Sequence, residues 1–370
     1  NVLYCALIIK KGSEYPQMVQ LFEEKQLTAI LSKLKENQEF SVKSVYGSKQ
    51  FTETKLYDLI WKPLEQYLKG IEIINYSPSG LLHKVSFAAL SNATDNYLVD
   101  NYQLNMLTST AIVAKPKQSL FDKNSTVTLF GGIDYSINDT TFSPWNYLEG
   151  TLSETNQLNS TLEKQGIKVN YIKAKLATKQ EFKIVAANSN IIHIASHGFF
   201  FPEPEKIKTE DNKTNNNILS RSASRSVMLN YVGNDNPLMR SGLIFAGVND
   251  YWNGITDDID GNGVLTALEV INIDLRKNKL VVLSACETGL GDIKDGEGVY
   301  GLQRAFKMAG TENLIMSLWK VPDYETAEFM KIFYGFLFTE YNINQAFTET
   351  QNLMRKKYDP YYWAAFVLVR

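Results

Sequence analysis

Two apolar runs in the chain each end at a side chain that is capable of nucleophilic or acid–base chemistry. One run, Asn190-Ile-Ile-His-Ile-Ala-Ser, ends at His197 and is followed by Gly198. The other, Asn278-Lys-Leu-Val-Val-Leu-Ser-Ala, ends at Cys286. Their length and apolar character predict buried parallel strands. Because chemistry collects at the carboxyl ends of strands in open α/β sheets, the pattern predicts that His197 and Cys286 meet at one sheet edge.

A thiol and an imidazole at one sheet edge have the chemistry of a nucleophile and its general base. Cys286 is predicted to attack as the thiolate, with His197 as the base and later the acid. The backbone N–H groups of Gly198 and Cys286 are the predicted oxyanion hole, and a glycine lets a substrate carbonyl approach closely. The spacing demands no carboxylate, so the prediction is a dyad. The alternative interpretation is that Cys286 is only a small buried hydrophobe.

The other two histidines have simpler interpretations. His193 lies four residues before His197 on the same face of the predicted strand, but in its middle. A hydrogen-bonded core histidine is the expected role there. His83 lies in the other half of the chain and is expected to be structural. Only His197 combines a strand-end position with a following glycine.

Composition limits the class of protein. The 370 residues exceed the roughly 250 to 300 over which one core keeps growing, so two core-bearing units are expected. The 38 Lys and Arg residues nearly balance the 40 Asp and Glu residues, which argues against nucleic acid or an anionic membrane as partner. No apolar run reaches the ~18 residues of a membrane span, and the start has no signal-like character.

Cysteine use and the first residue carry two further expectations. The chain has only two cysteines, Cys5 and Cys286, which favours free thiols in a reducing compartment such as the cytosol. It begins with Asn1 rather than Met, so we expect a fragment of a longer protein.

The order of predicted elements indicates an α/β fold. Strands alternate with helices after residue 125, which predicts parallel pairing with right-handed crossovers. An α/β unit is expected over residues 1–118, with a seam at Lys115-Pro116-Lys117, and a second unit over 119–370. Residues 203–217 are predicted to be a surface loop. The predicted strands are 2–9, 16–22, 71–76, 97–108, 126–131, 167–173, 190–197, 280–285, 313–319 and 361–369, and the main predicted helices are 23–37, 51–68, 151–165, 178–188, 265–272, 302–309, 323–338 and 343–356.

A twelve-position segment has the ligand spacing of a calcium loop. The oxygen donors are Asp258, Asp260, Asn262, the backbone carbonyl of Val264 and Glu269. The residues before Asp258 are not helical, so the segment is no EF-hand. The alternative is that Asp260 and Asn262 are turn residues and Glu269 is an ordinary helical residue. The predicted dyad itself requires no cofactor.

Six motifs in order along the chain resemble the signature of the CHAT-domain caspase-like cysteine peptidases. They are Ser196-His197-Gly198, the run from Val282 to Gly291, the run from Gly296 to Leu302, Ala305-Phe306 with Ala309-Gly310, the run from Ser317 to Asp323, and the run from Tyr362 to Phe366. With Tyr57 as its approximate start, the resemblance covers the chain to its end.

The resemblance implies a caspase-like three-layer α/β/α sandwich with a mostly parallel sheet, shared with separases and gingipains. It implies endopeptidase cleavage of a protein by the His197 and Cys286 dyad. Separase-like relatives pair an inactive half with an active one, and residues 1–118 would fit an inactive pseudo-caspase-like half. Members often follow tetratricopeptide repeats, which implies regulation by upstream repeats or an activating partner. Some bacterial members act in defence by cutting gasdermins or other effectors.

Substrate preference is less defined. His197 lies 89 residues before Cys286, and the Cys neighbourhood differs from the caspase pattern, so strict specificity for aspartate is not expected. Relatives that prefer basic residues place an acid two positions before the nucleophile, where this chain has Ser284.

The candidate substrate-contacting residues are Ser284, Glu287, Asp292 and Glu297. An exposed charged loop is the ordinary interpretation of the three acids. Two other functions stay open from the sequence: a catalytically silent scaffold for protein binding, and an amidase of small molecules.

Overall fold

A computed structural model describes most of the chain. The described residues are 2–34, 38–93, 95–114, 121–122, 124–138, 143–202, 231–255, 261–285, 292–294, 298–339 and 342–370. His197, Gly198 and Ser284 are among them, whereas Cys286, Glu287, Glu297, Asp258 and Asp260 lie outside them. The predicted seam at 115–117 and the predicted loop at 203–217 also lie outside the described residues.

The strands are short, between two and eight residues. They are β1 (Leu3–Ile8), β2 (Gln17–Glu23), β3 (Ile73–Tyr76), β4 (Ser91–Ala93), β5 (Asn96–Tyr97), β6 (Gln103–Met106), β7 (Thr126–Ile133), β8 (Lys168–Ala174), β9 (Ile191–Ala195), β10 (Gly198–Phe200), β11 (Ser241–Ile244), β12 (Val264–Thr266), β13 (Leu280–Ser284), β14 (Asp292–Lys294), β15 (Gly298–Tyr300), β16 (Leu314–Ser317) and β17 (Phe366–Val369).

The helices alternate with these strands. They are α1 (Glu24–Leu31), α2 (Gln38–Tyr46), α3 (Lys55–Ile60), α4 (Leu98–Asn101), α5 (Glu149–Lys164), α6 (Lys179–Ala186), α7 (Val248–Trp252), α8 (Ala267–Ile271), α9 (Leu302–Met308), α10 (Asp323–Leu337), α11 (Ile343–Lys357) and α12 (Pro360–Trp363). Short 3-10 helices lie at Lys62–Tyr67, Gly80–Lys84, Phe87–Ala89 and Thr110–Ala114.

The centre of the fold is an eight-stranded, mostly parallel sheet. Its order is β3-β6-β17-β16-β13-β9-β7-β8. The five strands from β16 to β8 run parallel to one another, β17 is antiparallel to β16, and β6 and β3 run parallel to β17. Every residue of β9 and β13 is buried, as expected for central strands that are covered on both faces. The predicted α/β class with a mostly parallel sheet is confirmed.

Helices cover both faces of this sheet. Neighbouring residues of β7 point to opposite layers because side chains alternate along a strand. The Phe130 ring lies 5.9 Å from the Phe182 ring of α6. On the other face, a Cβ atom added at Gly131 would lie 2.6 Å from the side chain of Thr155 in α5. Glycine at 131 therefore lets α5 approach the strand closely.

Strands from both predicted units share the main sheet. β3 and β6 precede residue 118, and β6 pairs with β17 through Met106 and Val369. The Tyr46 ring also lies 5.6 Å from the Trp319 ring, so one buried core crosses the predicted boundary. The division into 1–118 and 119–370 stays a prediction.

Two predicted strands begin differently in the structure. Residues 97–108 contain α4 before β6, because the Asp100 carboxylate accepts the Tyr97 N–H at 2.9 Å and caps a helical turn. Residues 361–369 contain α12 before β17, since Pro360 favours the first position of a helix. The predicted helix 51–68 is divided into α3 and the 3-10 segment Lys62–Tyr67, which has Pro63 in its first turn.

A small antiparallel sheet, β10-β11-β12, lies directly after β9. It links the carboxyl end of β9 to the segment that leads into α8. Among the described residues, no helix has the length and apolar character needed to cross a membrane.

Candidate active site

His197 lies in the two-residue gap between β9 and β10 and is fixed on both sides. The preceding Ser196 donates its hydroxyl to the carbonyl of Ile244 and lies 3.2 Å from the Tyr135 hydroxyl. The carbonyl of His197 accepts the Ile244 N–H at 3.0 Å. The backbone therefore leaves the buried strand and enters the small sheet at a defined position, and His197 lies at the carboxyl end of β9 as predicted.

The His197 ring is partly buried among aromatic side chains. Its centroid lies 4.9 Å from that of Tyr135 and 5.3 Å from that of Trp145. Its Nε2 atom lies 2.8 Å from the backbone carbonyl oxygen of Asn146. A carbonyl only accepts hydrogen bonds, so this contact requires the proton on Nε2. In the neutral ring, Nδ1 is then the nitrogen that accepts a proton.

The surroundings lower the pKa of His197. Burial is the largest cause and disfavours the imidazolium, and the positive charge of Lys320 acts in the same direction. The Asn146 carbonyl opposes both because it stabilises a donating ring. The ring is therefore neutral at neutral pH, which is the state that a general base needs.

Gly198 has a backbone N–H that points away from the β10–β11 ladder. The bonded pairs of this ladder include His197 with Ile244 and Phe201 with Arg240. Gly198 faces Leu243 between them, in a non-bonded pair. In an antiparallel ladder the N–H groups of such a pair point outward. Among the described residues β10 is the edge strand, so the Gly198 N–H is directed away from the small sheet.

The strand that leads to Cys286 ends level with β9. In the parallel register Ser284, the last residue of β13, lies opposite Ala195, the last residue of β9. Ala285 is held by its carbonyl, which accepts the Ser317 hydroxyl at 2.8 Å. His197 and Cys286 each follow two residues after these paired strand ends in the sequence.

A buried polar cluster lies below this edge, between the sheet and α5. The Ser284 hydroxyl donates to Glu154 Oε2 at 3.0 Å, and Glu154 Oε1 lies 2.9 Å from His193 Nε2. The Tyr334 hydroxyl lies 3.3 Å from His193 Nδ1. His193 and Tyr334 are fully buried, and burial raises the pKa of Tyr334. His193 is thus a core histidine, as predicted, and the Ser284 hydroxyl is directed into the core.

Sequence analysis missed Glu154, Asn146 and the residues that hold Asn146. Glu154 had a detectable signal, because it stands four and eight residues before Leu158 and Leu162 on the buried face of α5. An acid within an apolar helical stripe needs a buried partner. Asn146 gave no signal, since its contribution is a backbone carbonyl that every residue type has.

The described residues of the predicted calcium loop contact a lysine. Lys179 Nζ, nearly fully buried, lies 2.8 Å from Asn262 Oδ1 and 3.1 Å from Glu269 Oε1. Lys183 Nζ lies 3.2 Å from the same Glu269 oxygen. Val264 lies in β12 opposite Ile244.

The other Glu269 oxygen accepts the N–H and hydroxyl of Thr266 and caps α8. Burial acts to raise the pKa of Glu269, but the Thr266 hydrogen bonds and the two ammonium groups together lower it. No group of three or more His, Cys, Asp or Glu side chains suited to a metal occurs within the described ranges. Because Asp258 and Asp260 lie outside those ranges, calcium binding stays a prediction.

The remaining substrate-contacting candidates are the three acids after Cys286. Asp292 begins β14 and pairs with Tyr300 of β15 in a two-stranded hairpin. Glu287 and Glu297 lie outside the described residues.

Comparison with protein families matches the CHAT domain to residues 51–370. Among curated proteins, tetratricopeptide repeat protein 28 of Homo sapiens is 31% identical over 109 residues, and its Mus musculus counterpart is 29% identical over 109 residues. Each alignment covers 29% of this chain and 4% of the relative. The chain thus spans only a small part of the curated relatives it matches.

Two solved structures are similar to this chain. Gingipain R, an Arg-specific cysteine proteinase, matches with a TM-score of 0.50 and 8% identity, over 84% of this chain and 67% of that chain. The Saccharomyces cerevisiae separase–securin complex matches with a TM-score of 0.46 and 12% identity, over 98% of this chain and 21% of that chain. At such low identity the likeness concerns the fold alone.

Proposed function

Because the chain belongs to the CHAT-domain family, we propose that it is a cysteine endopeptidase with Cys286 as nucleophile and His197 as general base. The observation that carries the proposal is the state of His197. Its Nε2–H is bonded to a carbonyl, its pKa is lowered, and it leaves the sheet level with the strand that leads to Cys286. A neutral imidazole at that position is prepared to take a proton through Nδ1.

The proposed reaction has two halves. In the first, His197 takes the proton of the Cys286 thiol, and the sulfur attacks the carbonyl carbon of the scissile peptide bond. The C–N bond breaks, His197 gives the proton to the leaving amine, and an acyl thioester remains. In the second half a water molecule attacks the thioester and His197 takes its proton. The C–S bond then breaks, the free carboxylic acid is the product, and His197 returns the proton to the departing sulfur.

Negative charge develops on the carbonyl oxygen in both halves. The N–H of Gly198 points away from its own ladder, which supports its use as one donor of the oxyanion hole. The N–H of Cys286 is the second proposed donor. The anchored carbonyl of Ala285 supports this assignment, because it belongs to the same planar peptide group as that N–H.

The proposed substrate is a protein. The residue that precedes its scissile bond is to be determined by experiment. The acids Glu287, Asp292 and Glu297 are the proposed substrate-contacting residues after the nucleophile. The Ser284 hydroxyl does not face the substrate, because it donates a hydrogen bond to the buried Glu154 carboxyl group. Similarity to a protein named for tetratricopeptide repeats supports such repeats as the regulatory partner.

The test is labelling with an irreversible thiol-directed peptide probe, followed by cleavage of a peptide library that varies the residue before the scissile bond. In the Cys5→Ala chain, labelling is expected to disappear on Cys286→Ala and turnover on His197→Ala. Cys5→Ala is the matched control, because Cys5 is an exposed free cysteine on β1. Gasdermin-type proteins, which the family resemblance suggests, are natural test substrates beside the library.

The second function left open by the sequence is a catalytically silent scaffold. It gains support if the Cys5→Ala protein shows neither specific labelling nor cleavage of any library member. Cleavage of small amides without cleavage of any peptide would instead favour an amidase.

A further inference from the structure

We propose that Asn249 is a positioning residue for His197. Its carboxamide fixes the segment that carries Asn146, and the Asn146 carbonyl fixes the protonated nitrogen of the His197 ring. The consequence for catalysis depends on the proposed peptidase function, whereas the effect on the His197 ring does not.

Asn249 holds this segment through three hydrogen bonds from a single buried carboxamide. Its Nδ2 donates to the Trp145 carbonyl at 2.9 Å and to the Ser136 hydroxyl at 2.9 Å. Its Oδ1 accepts the Trp145 N–H at 3.3 Å. Only 1% of Asn249 is exposed. The carboxamide thus pairs with both backbone groups of Trp145, the residue directly before Asn146.

α7, together with Gly247 directly before it, also bonds the chain ahead of Asn146, over residues 134–138. The Asn249 N–H donates to the Tyr135 carbonyl at 2.9 Å, and the Gly247 N–H donates to the Asp134 carbonyl at 3.2 Å. The Asp250 carboxylate accepts the N–H groups of Ile137 and Asn138 at 3.1 and 3.3 Å. Because Asp134 directly follows β7, which pairs with β9, these bonds hold α7, and through Asn249 the residue before Asn146, in place relative to β9.

The Trp145 ring links the same residue directly to the histidine. It lies 5.3 Å from the His197 ring and 5.9 Å from the Trp252 ring of α7, centroid to centroid. Asn249 therefore determines the position of both the carbonyl that bonds His197 and the indole that packs beside it.

The Asn146 carbonyl has two effects on the imidazole. It selects the neutral form with the proton on Nε2, so Nδ1 is the proton acceptor. It also raises the pKa of His197, against burial and Lys320, which lower it. Releasing the carbonyl should therefore lower the pKa further and allow both neutral forms.

Asn278 provides a matched control. It too is 1% exposed, and its Nδ2 donates to the backbone carbonyls of Ala186 and Ser189. It precedes β13, so it lies at the opposite end of the sheet from His197 by at least the length of a five-residue strand, roughly 16 Å. Asn278→Ala therefore costs stability without touching the proposed mechanism.

The experiment is a pH titration of the histidine ring signals by NMR, with His197→Ala to assign the resonance. In Asn249→Ala we expect the pKa of His197 to fall by about half a unit to one unit, the typical effect of one hydrogen bond. Its ring nitrogens should report a mixture of the two neutral forms. Asn278→Ala should leave both unchanged, and an equal response in both variants would overturn the proposal.

Ser136→Ala is a second, milder test of the proposal that remains available if Asn249→Ala does not fold. It removes one of the three carboxamide bonds from a half-buried side chain and should lower the pKa of His197 by a smaller amount. No shift in a folded Ser136→Ala and a folded Asn249→Ala would equally overturn the assignment.

Activity separates this proposal from the peptidase proposal. If the chain cleaves peptides, the acid limb of kcat/KM should move to lower pH in Asn249→Ala, because the base stays neutral to lower pH. If no peptide is cleaved but the ring titration shifts, the positioning role stands and the peptidase function is wrong. If peptides are cleaved but neither the ring titration nor the acid limb of kcat/KM moves, the peptidase function stands and the positioning role is wrong.

Discussion

His193 and His197 stand four residues apart on the same strand run, yet their surroundings differ in kind. His193 lies mid-strand, fully buried, between the Glu154 carboxylate and the Tyr334 hydroxyl. His197 lies beyond the strand end, between aromatic rings and a backbone carbonyl. A histidine with both nitrogens next to buried polar side chains is a core element. A histidine with one nitrogen bonded to a carbonyl keeps the other for chemistry.

Replacing His197 should have the largest effect, and on activity rather than on stability. We expect His197→Ala to lower kcat/KM by about 10³-fold, since it removes the general base. Its free energy of unfolding should change little, because the ring is partly exposed and donates one hydrogen bond. Peptide cleavage and urea unfolding on the same preparation measure the two quantities. A variant that retains most of its turnover would break the comparison.

Replacing His193 should give the opposite pattern. His193→Ala leaves the buried Glu154 carboxylate without its nearest partner, which we expect to cost about 3 kcal/mol of unfolding free energy. Turnover per folded molecule should remain within a few fold of the original, measured at a temperature where the variant is folded.

His193→Gln is the matched variant, because its amide restores a donor toward Glu154 and should recover part of the stability. An equal loss in both variants would indicate that volume, rather than the polar pairing, governs this site. A loss of turnover in a fully folded His193→Gln would assign His193 to the chemistry.

The strand ends at this site were predictable because their signal is local. β9 and β13 are apolar at nearly every position, so their burial and their ends near Ala195 and Ser284 follow from the sequence. The support behind His197 was not predictable. Asn249 contacts Trp145 across 104 positions, and asparagine in a polar stretch resembles any turn residue. The helix α12 was not predictable either, because the apolar run that contains it favours a strand over its whole length.

Acidification should destabilise the protein through histidines that are buried as neutral rings. Burial lowers the pKa of His83 to about 4 from an ordinary value of 6.5, and it also lowers that of His197. A depressed folded-state pKa means that the unfolded chain binds more protons between the two values. His83 therefore contributes full stability above pH 6.5, and about 3 kcal/mol is lost as the pH falls toward 4.

His83→Gln and His197→Ala compare the contributions of the two histidines to the pH dependence of stability. Urea unfolding at pH 7.5 and pH 5 should show a smaller difference in His83→Gln than in the parent chain. In His197→Ala the difference should shrink less, because the Asn146 carbonyl partly offsets the burial of His197. Identical pH dependence in all three proteins would show that other groups govern the acid response.

Calcium should have the smallest effect. The Lys179 ammonium already contacts Asn262 Oδ1 and Glu269 Oε1, so these two oxygens have a positive partner without a metal. We expect millimolar calcium to raise the Tm by less than about 1 °C, because a ligand stabilises a protein only when its concentration exceeds its Kd for the folded state. In Lys179→Met the same oxygens lose that partner, and a calcium-dependent rise in Tm there would identify Lys179 as the group that replaces the metal. A saturable rise of several degrees in the parent chain would instead establish the segment from Asp258 to Glu269 as a calcium site, and thermal unfolding with magnesium as the control ion distinguishes it from a general salt effect.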